Sequence, residues 1–138
     1  MKASFVLDAW ALLALLQQEE PAASRVRQLI ESAYEDEIML FVSIINLGEV
    51  VYRVGKVKGE EDAWETYAQI QQLPLTILSV TDEVVLAAVG YKIRHSISYA
   101  DAFAAVTSQR QQAILLTGDP ELVRLQGIIR LEQLVRAH

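Results

Sequence analysis

The chain has no cysteine, two histidines, three prolines, few bases and no long uninterrupted apolar run. The missing cysteines exclude a disulfide scaffold, a zinc ribbon and an iron–sulfur site. The short apolar runs leave no segment that reads as transmembrane. At the start, Met1-Lys2-Ala3-Ser4-Phe5-Val6-Leu7-Asp8 offers one lysine and an acid after a brief apolar stretch, which is not the pattern of a secretory signal. The expectation is a protein of the reducing cytoplasm with no membrane partner. Twelve bases against eighteen acids leave a net charge of −6. Such a chain does not attract nucleic acid by long-range charge, which argues against a simple coating module. It does not exclude an enzyme whose bound metal ions reverse the charge of its site. The prolines and the six glycines fall mostly between periodic segments, and no repeat, linker or low-complexity tract appears. What is present is 138 residues, 52% hydrophobic and 22% charged, enough for one domain over 1–138 with a substantial core.

Short apolar runs at 4–7, 38–42, 75–78 and 113–116 read as strands, with 128–130 as a fifth, edge strand. Helical periodicity covers 9–18, 22–34 and 60–72. Ser43 can cap a helix that runs to about Val54 and stops at Gly55. Thr81 caps a helix that opens with Asp82 and Glu83. Ser98 starts another through Arg110, Pro120 begins a short one to Leu125, and 131–137 reads as a final helix. Strands that are apolar throughout and separated by helices predict an α/β fold of three layers. Its sheet is short and mostly parallel, with four or five strands and helices on both faces.

In an open parallel sheet, ligands bind at the carboxyl edge of the strands. Asp8 directly follows the first strand, Ser43 the second, and Thr117-Gly118-Asp119 the fourth. The helix leading into the fourth strand starts near that edge, and Asp101 lies in its first turn. Glu49 lies in the second turn of the helix after the second strand. Asp8, Glu49, Asp101 and Asp119 are therefore expected to converge, with Ser43 and Thr117 as supporting hydroxyls. Like charges at close range raise one another's pKa, and a divalent cation relieves the repulsion. All-oxygen donors suit Mg²⁺, with Mn²⁺ as the other candidate.

Each acid also has a structural reading. Asp8 can cap the first helix. Ser98-Tyr99-Ala100-Asp101 fits a capping box. Asp119-Pro120 is an ordinary N-cap followed by proline, and Glu49 can pair with Arg53 four residues on. Two surroundings weigh against the structural reading. Glu49 sits in the nearly apolar run Ile44-Ile45-Asn46-Leu47-Gly48-Glu49-Val50-Val51, and Asp101 precedes Ala102-Phe103-Ala104-Ala105-Val106.

In order and spacing, Val6-Leu7-Asp8, Asn46-Leu47-Gly48-Glu49-Val50, Ser98-Tyr99-Ala100-Asp101-Ala102-Phe103 and Leu115-Leu116-Thr117-Gly118-Asp119-Pro120 resemble the PIN-domain ribonucleases, most of all the VapC-type toxins of toxin–antitoxin pairs. The resemblance runs from residue 4 to about 130. It implies a Mg²⁺- or Mn²⁺-dependent endoribonuclease. Asp8 and Asp101 would be its principal metal ligands, Glu49 and Asp119 would complete the cage, and Thr117 would steady it. It also implies a homodimer and a small antitoxin that covers the groove. The chain departs from the pattern at Trp10, where the family usually has serine or threonine, and at Leu122, where an aromatic is common.

Other functions fit less well. An aspartyl phosphatase uses a second acid two residues after the first, where this chain has Trp10. A response-regulator-like module needs an aspartate after a middle strand, but the third strand runs out into Leu78-Ser79-Val80. A catalytically idle interaction module and a housekeeping RNA-processing nuclease remain alternatives. For the nuclease, in-line attack by an activated water implies 5′-phosphate and 3′-hydroxyl ends. Among smaller signals, Arg53, Lys92, Arg94 and His95 are candidate phosphate or RNA contacts, with solvated helix ends as the competing reading. Trp10, Trp64 and Tyr67 read as core or interface.

Overall fold

Five strands of three to six residues, the first four mainly apolar, form one parallel sheet in the computed structural model, which describes residues 1–137. They are β1 (Ala3–Leu7), β2 (Ile38–Ser43), β3 (Thr76–Leu78), β4 (Ile114–Thr117) and β5 (Leu131–Gln133). Seven helices are present among the described residues: α1 (Ala9–Leu16), α2 (Ala22–Tyr34), α3 (Ile44–Lys58), α4 (Glu60–Gln71), α5 (Asp82–Arg94), α6 (Tyr99–Arg110) and α7 (Pro120–Val123). The strand order is β3-β2-β1-β4-β5, and every neighbouring pair is parallel. The expected α/β sandwich with helices on both faces is therefore present. His138 lies outside the described residues.

Alternation along β1 divides the core in two. Phe5 and Leu7 face a cluster built from α1, α2, α3 and α4 with Leu12, Val26, Leu47, Val50 and Ile70. Val6 faces the other way, toward Phe41, Leu115, Leu122 and the α6 run Ala102 to Val106. Helix α6 is buried from 101 to 108, so it has no solvent stripe, and its first turn delivers Asp101 into the protein.

Two sequence expectations are corrected. Helix α3 does not stop at Gly55 but continues to Lys58, and Gly59 ends it in the left-handed region at φ 102°. Gly55 serves packing instead: a Cβ there would lie 3.1 Å from the Ala63 Cβ, so its absence lets α3 and α4 approach closely. At the other end, 131–137 is not a helix. Leu131–Gln133 is the fifth strand, with Leu131 beside Leu115 and Gln133 beside Thr117. The edge strand thus falls just after the expected 128–130, because pairing with β4 overrides the helical spacing of Leu131, Leu134 and Val135.

Sequence neighbours β1, β2 and β3 step across the sheet in one direction, while β4 and β5 lie on the other side of β1. The order reverses between β1 and β4. At such a switch point the connections diverge and leave a crevice outside the strand ends. Asp8 follows β1 and Asp119 follows β4 at that place.

Candidate active site

Asp8 is the N-cap of α1, and only 2% of its surface is exposed. Its Oδ1 accepts from the Ala11 backbone N–H at 2.8 Å. Its Oδ2 accepts a short hydrogen bond from the Thr117 hydroxyl. Thr117 Oγ1 in turn accepts from the Asp119 N–H at 3.0 Å. One buried hydroxyl therefore fixes the residues after two neighbouring strands relative to each other. Burial pushes the Asp8 carboxyl up to about 7, the Asp119 and Glu49 charges add to the rise, and the two hydrogen bonds oppose it.

Asp101 is reached from the opposite side. Ser98 caps α6 and accepts from the Asp101 N–H at 3.1 Å, so the capping motif is real. The carboxylate does not close the box, however. Its Oδ2 is buried and has no hydrogen-bond partner among the described residues. Burial is the main cause that raises its pKa to about 8; Asp119, Asp8 and Glu121 add to the rise, and Ser98 opposes it. Carboxylate oxygens of Asp101, Asp119 and Glu121 lie within 4.8 Å of one another. Asp119 caps α7, accepting from the Glu121 N–H at 2.8 Å.

Glu49 is less buried and pairs with Arg53 at 2.9 Å, as its four-residue spacing allows. It still lines the same cavity of about 720 Å³ as Asp8, Asp101 and Asp119. The four expected acids thus meet around one crevice. Ser43 ends β2 on the same edge, but its hydroxyl caps α3, accepting from the Ile45 N–H at 3.2 Å, and it does not line the cavity. Lys92, Arg94 and His95 stay outside the lining too. Lys92 donates to the Ile97 carbonyl at 2.6 Å, and Arg94 lies over the Tyr91 ring. Arg53 does line it. Trp10 and Tyr67 pack against the core, whereas Trp64 is 58% exposed.

Two residues have roles at the site that the sequence did not assign to them. Glu121 lies in the first turn of a helix that starts at the carboxyl edge, and the reasoning that found Asp101 in α6 applies equally to it. Asn46 is buried in α3. Its Nδ2 donates to the Ala100 carbonyl at 3.0 Å, which ties the helix of Glu49 to the first turn of the helix of Asp101.

These donors fit a hard divalent cation. They are carboxylate oxygens, they repel one another, and a buried oxygen of Asp101 lacks the partner that a buried polar atom requires. Burial and the neighbouring carboxylates push the Asp8 and Asp101 pKa values up, and a bound cation would relieve that repulsion.

Fold and crevice together define an α/β domain with an acid-lined pocket at its topological switch point. The chain belongs to the PIN domain family, whose model matches residues 5–128. Solved structures agree on the fold. A VapBC2 complex from Rickettsia felis, bound to a DNA fragment from its promoter, is similar with a TM-score of 0.73 at 16% identity, covering 96% of this chain and 99% of that one. VapC20 of Mycobacterium tuberculosis, described as a sarcin-ricin-loop-cleaving toxin, gives 0.71 at 15% identity over 88% of this chain and 95% of that one. A DNA-bound VapBC from Salmonella typhimurium gives 0.71 at 17% identity over 95% and 98%. No curated protein sequence matches the chain. No helix among the described residues is long and apolar enough to cross a membrane.

Proposed function

We propose that the chain is a metal-dependent endoribonuclease, the toxin of a toxin–antitoxin pair, acting in the cytoplasm. The observation that carries this reading is the buried, unpartnered Oδ2 of Asp101, whose carboxylate lies with those of Asp119 and Glu121 at the switch point, in a pocket that Asp8 also lines. Asp8 and Asp101 would hold Mg²⁺ or Mn²⁺, with Asp119, Glu121 and Glu49 completing the donor set. The cation would supply Lewis acidity at the scissile phosphate and lower the pKa of the attacking water.

The chain's own residues keep that site in shape. Thr117 orients the Asp8 carboxylate and anchors the Asp119 backbone at once. Asn46 holds α3 to the first turn of α6. Arg53, Lys56 and Lys58 line the same cavity from the end of α3 and give an acidic protein a locally cationic approach for the RNA backbone.

The VapBC neighbours support an antitoxin partner, and the surface offers places for it and for a second copy. A largely apolar cleft of about 630 Å³ lies between α3 and α4, lined by Leu47, Val51, Ala63, Trp64 and Tyr67, and it shares Tyr52 and Lys56 with the acid pocket. An amphipathic helix of the antitoxin suits it. On α5, Leu86, Val89 and Ile93 form an exposed apolar stripe at helical spacing, which suits a homodimer. The reading is tested on purified chain freed of antitoxin: RNA fragments should carry 5′-phosphate and 3′-hydroxyl ends. Fragments ending in 2′,3′-cyclic phosphate would contradict the water-attack chemistry.

A further inference from the structure

Trp10 is the second residue of α1, two positions after Asp8, and its indole lies against Gly118, between Thr117 and Asp119. A Cβ at Gly118 would come within 2.3 Å of the indole Cζ2 and 2.4 Å of Cη2, so this contact requires glycine. From the far end of the chain Arg136 meets the same ring, its guanidinium carbon 5.1 Å from the ring centroid. Its Nη1 donates to the Glu19 carboxylate at 3.1 Å.

The backbone around Arg136 is fixed as well. Ala22 N–H donates to the Val135 carbonyl at 3.0 Å, and Ala137 N–H donates to the Glu20 carbonyl at 2.8 Å. Pro21 and Arg136 form a bridge between these bonds. Trp10 and Arg136 both line the acid pocket. The guanidinium is therefore held on the wall of the acid pocket by a ring, a carboxylate and a backbone segment fixed at both ends, rather than swinging on a loose tail. Glu19 engages one nitrogen, and the rest of the planar fork makes no side-chain hydrogen bond among the described residues. A guanidinium already held in place loses little freedom on binding, and its fork matches phosphate oxygens.

We propose that Trp10 and Arg136 form a phosphate clamp on this wall of the pocket: Arg136 donates to an RNA phosphate adjoining the one at the carboxylates, and Trp10 is the positioning residue that holds the guanidinium there. This rests on the nuclease reading above.

The experiment reads binding rather than turnover. The full chain carrying Asp101→Asn is titrated, in Mg²⁺ and across a sodium chloride series, into fluorescein-labelled single-stranded RNA of random sequence, followed by anisotropy. Adding Arg136→Ala should weaken binding about tenfold, the effect of one charge-assisted contact. It should also lower the slope of log K against log salt by about 0.7, one phosphate contact on a single strand. Arg136→Lys should keep the slope and recover part of the affinity. Trp10→Ala should behave like Arg136→Ala, while Trp10→Phe stays close to the parent. Arg110→Ala, at the end of α6 and outside the pocket, should change neither quantity. Thermal melts identify any variant that fails to fold, and the lysine and phenylalanine variants then decide the matter.

Unchanged slope and affinity in Arg136→Ala, on a background that binds RNA, would overturn the clamp and leave the nuclease reading standing. If the Asp101→Asn background binds too weakly to titrate, the KM of cleavage decides. A rise with kcat within a few-fold supports the clamp, and an unchanged KM overturns it. A folded wild-type chain that neither binds nor cleaves RNA would overturn both.

Discussion

Replacing Asp8 by asparagine should make the metal-free protein more stable at alkaline pH while destroying its site. Asp8 is buried, and its carboxyl is pushed from 3.8 to about 7, chiefly by desolvation. At about 1.4 kcal/mol per pKa unit, that displacement destabilises the native state by about 4 kcal/mol above pH 7. The sign follows from proton counting. Between pH 4 and 7 the native state holds the proton and the unfolded chain does not, so stability falls as pH rises through this window and levels off above it. The substituted asparagine does not ionise. Its oxygen can keep the Ala11 N–H bond, while the bond from Thr117 must reorganise at a cost of about 2 kcal/mol. The two proteins should therefore melt together near pH 5 in EDTA. By pH 8 the variant should be ahead by about 2 kcal/mol, or about 7 °C for a chain of this length. Saturating Mn²⁺ should reverse the order, since a ligand at a hundredfold excess over its Kd adds about 3 kcal/mol to the form that binds it. Circular dichroism melts of both proteins at pH 5, 6, 7 and 8, with EDTA or Mn²⁺, measure all of this. A melting difference in EDTA that does not widen between pH 5 and pH 8 would refute the reasoning.

Other perturbations probe the neighbouring contacts. Thr117→Val removes the donor to Asp8 and the acceptor of the Asp119 N–H, so it should lower stability by about 2–3 kcal/mol and weaken Mn²⁺ binding by calorimetry. Gly118→Ala puts a methyl into the Trp10 indole and should cost about 1–3 kcal/mol. In a Trp64→Phe background, where Trp10 is the remaining tryptophan, its emission should shift to the red as the ring is displaced. Ile93→Glu on the apolar face of α5 should turn the proposed dimer into a monomer by light scattering, with the melting curve extrapolated to low concentration unchanged.

The fold was legible because the signals were local. Runs such as Phe5-Val6-Leu7 and Leu115-Leu116 are short, apolar and flanked by helical segments, the pattern of buried strands, and caps at Ser43, Thr81 and Ser98 mark helix starts that the structure keeps. From these, the carboxyl-edge rule brings Asp8, Glu49, Asp101 and Asp119 to one crevice. What escaped depends on partners remote in sequence. Gly55 looks like a helix stop until Ala63 of the next helix is seen against it. The segment after Arg130 has helical spacing and becomes a strand only because β4 presents a free edge to it. Arg136 reaches the pocket through contacts with 19–22, more than a hundred residues away, which no local pattern encodes. Glu121 was the exception, since its signal was local and went unused.

Cleavage of a mixed RNA pool by the purified chain, freed of any antitoxin, tests the central claim most directly. Wild type and Asp101→Asn are compared in Mg²⁺, in Mn²⁺ and in EDTA. The account predicts fragments from the wild type with either ion, none in EDTA, and none from a folded Asp101→Asn chain. Cleavage that persists in EDTA or survives the loss of Asp101, or a folded wild type that neither cuts RNA nor binds Mn²⁺, would contradict it and leave Asp8 and Asp119 as helix caps and Glu49 as the partner of Arg53.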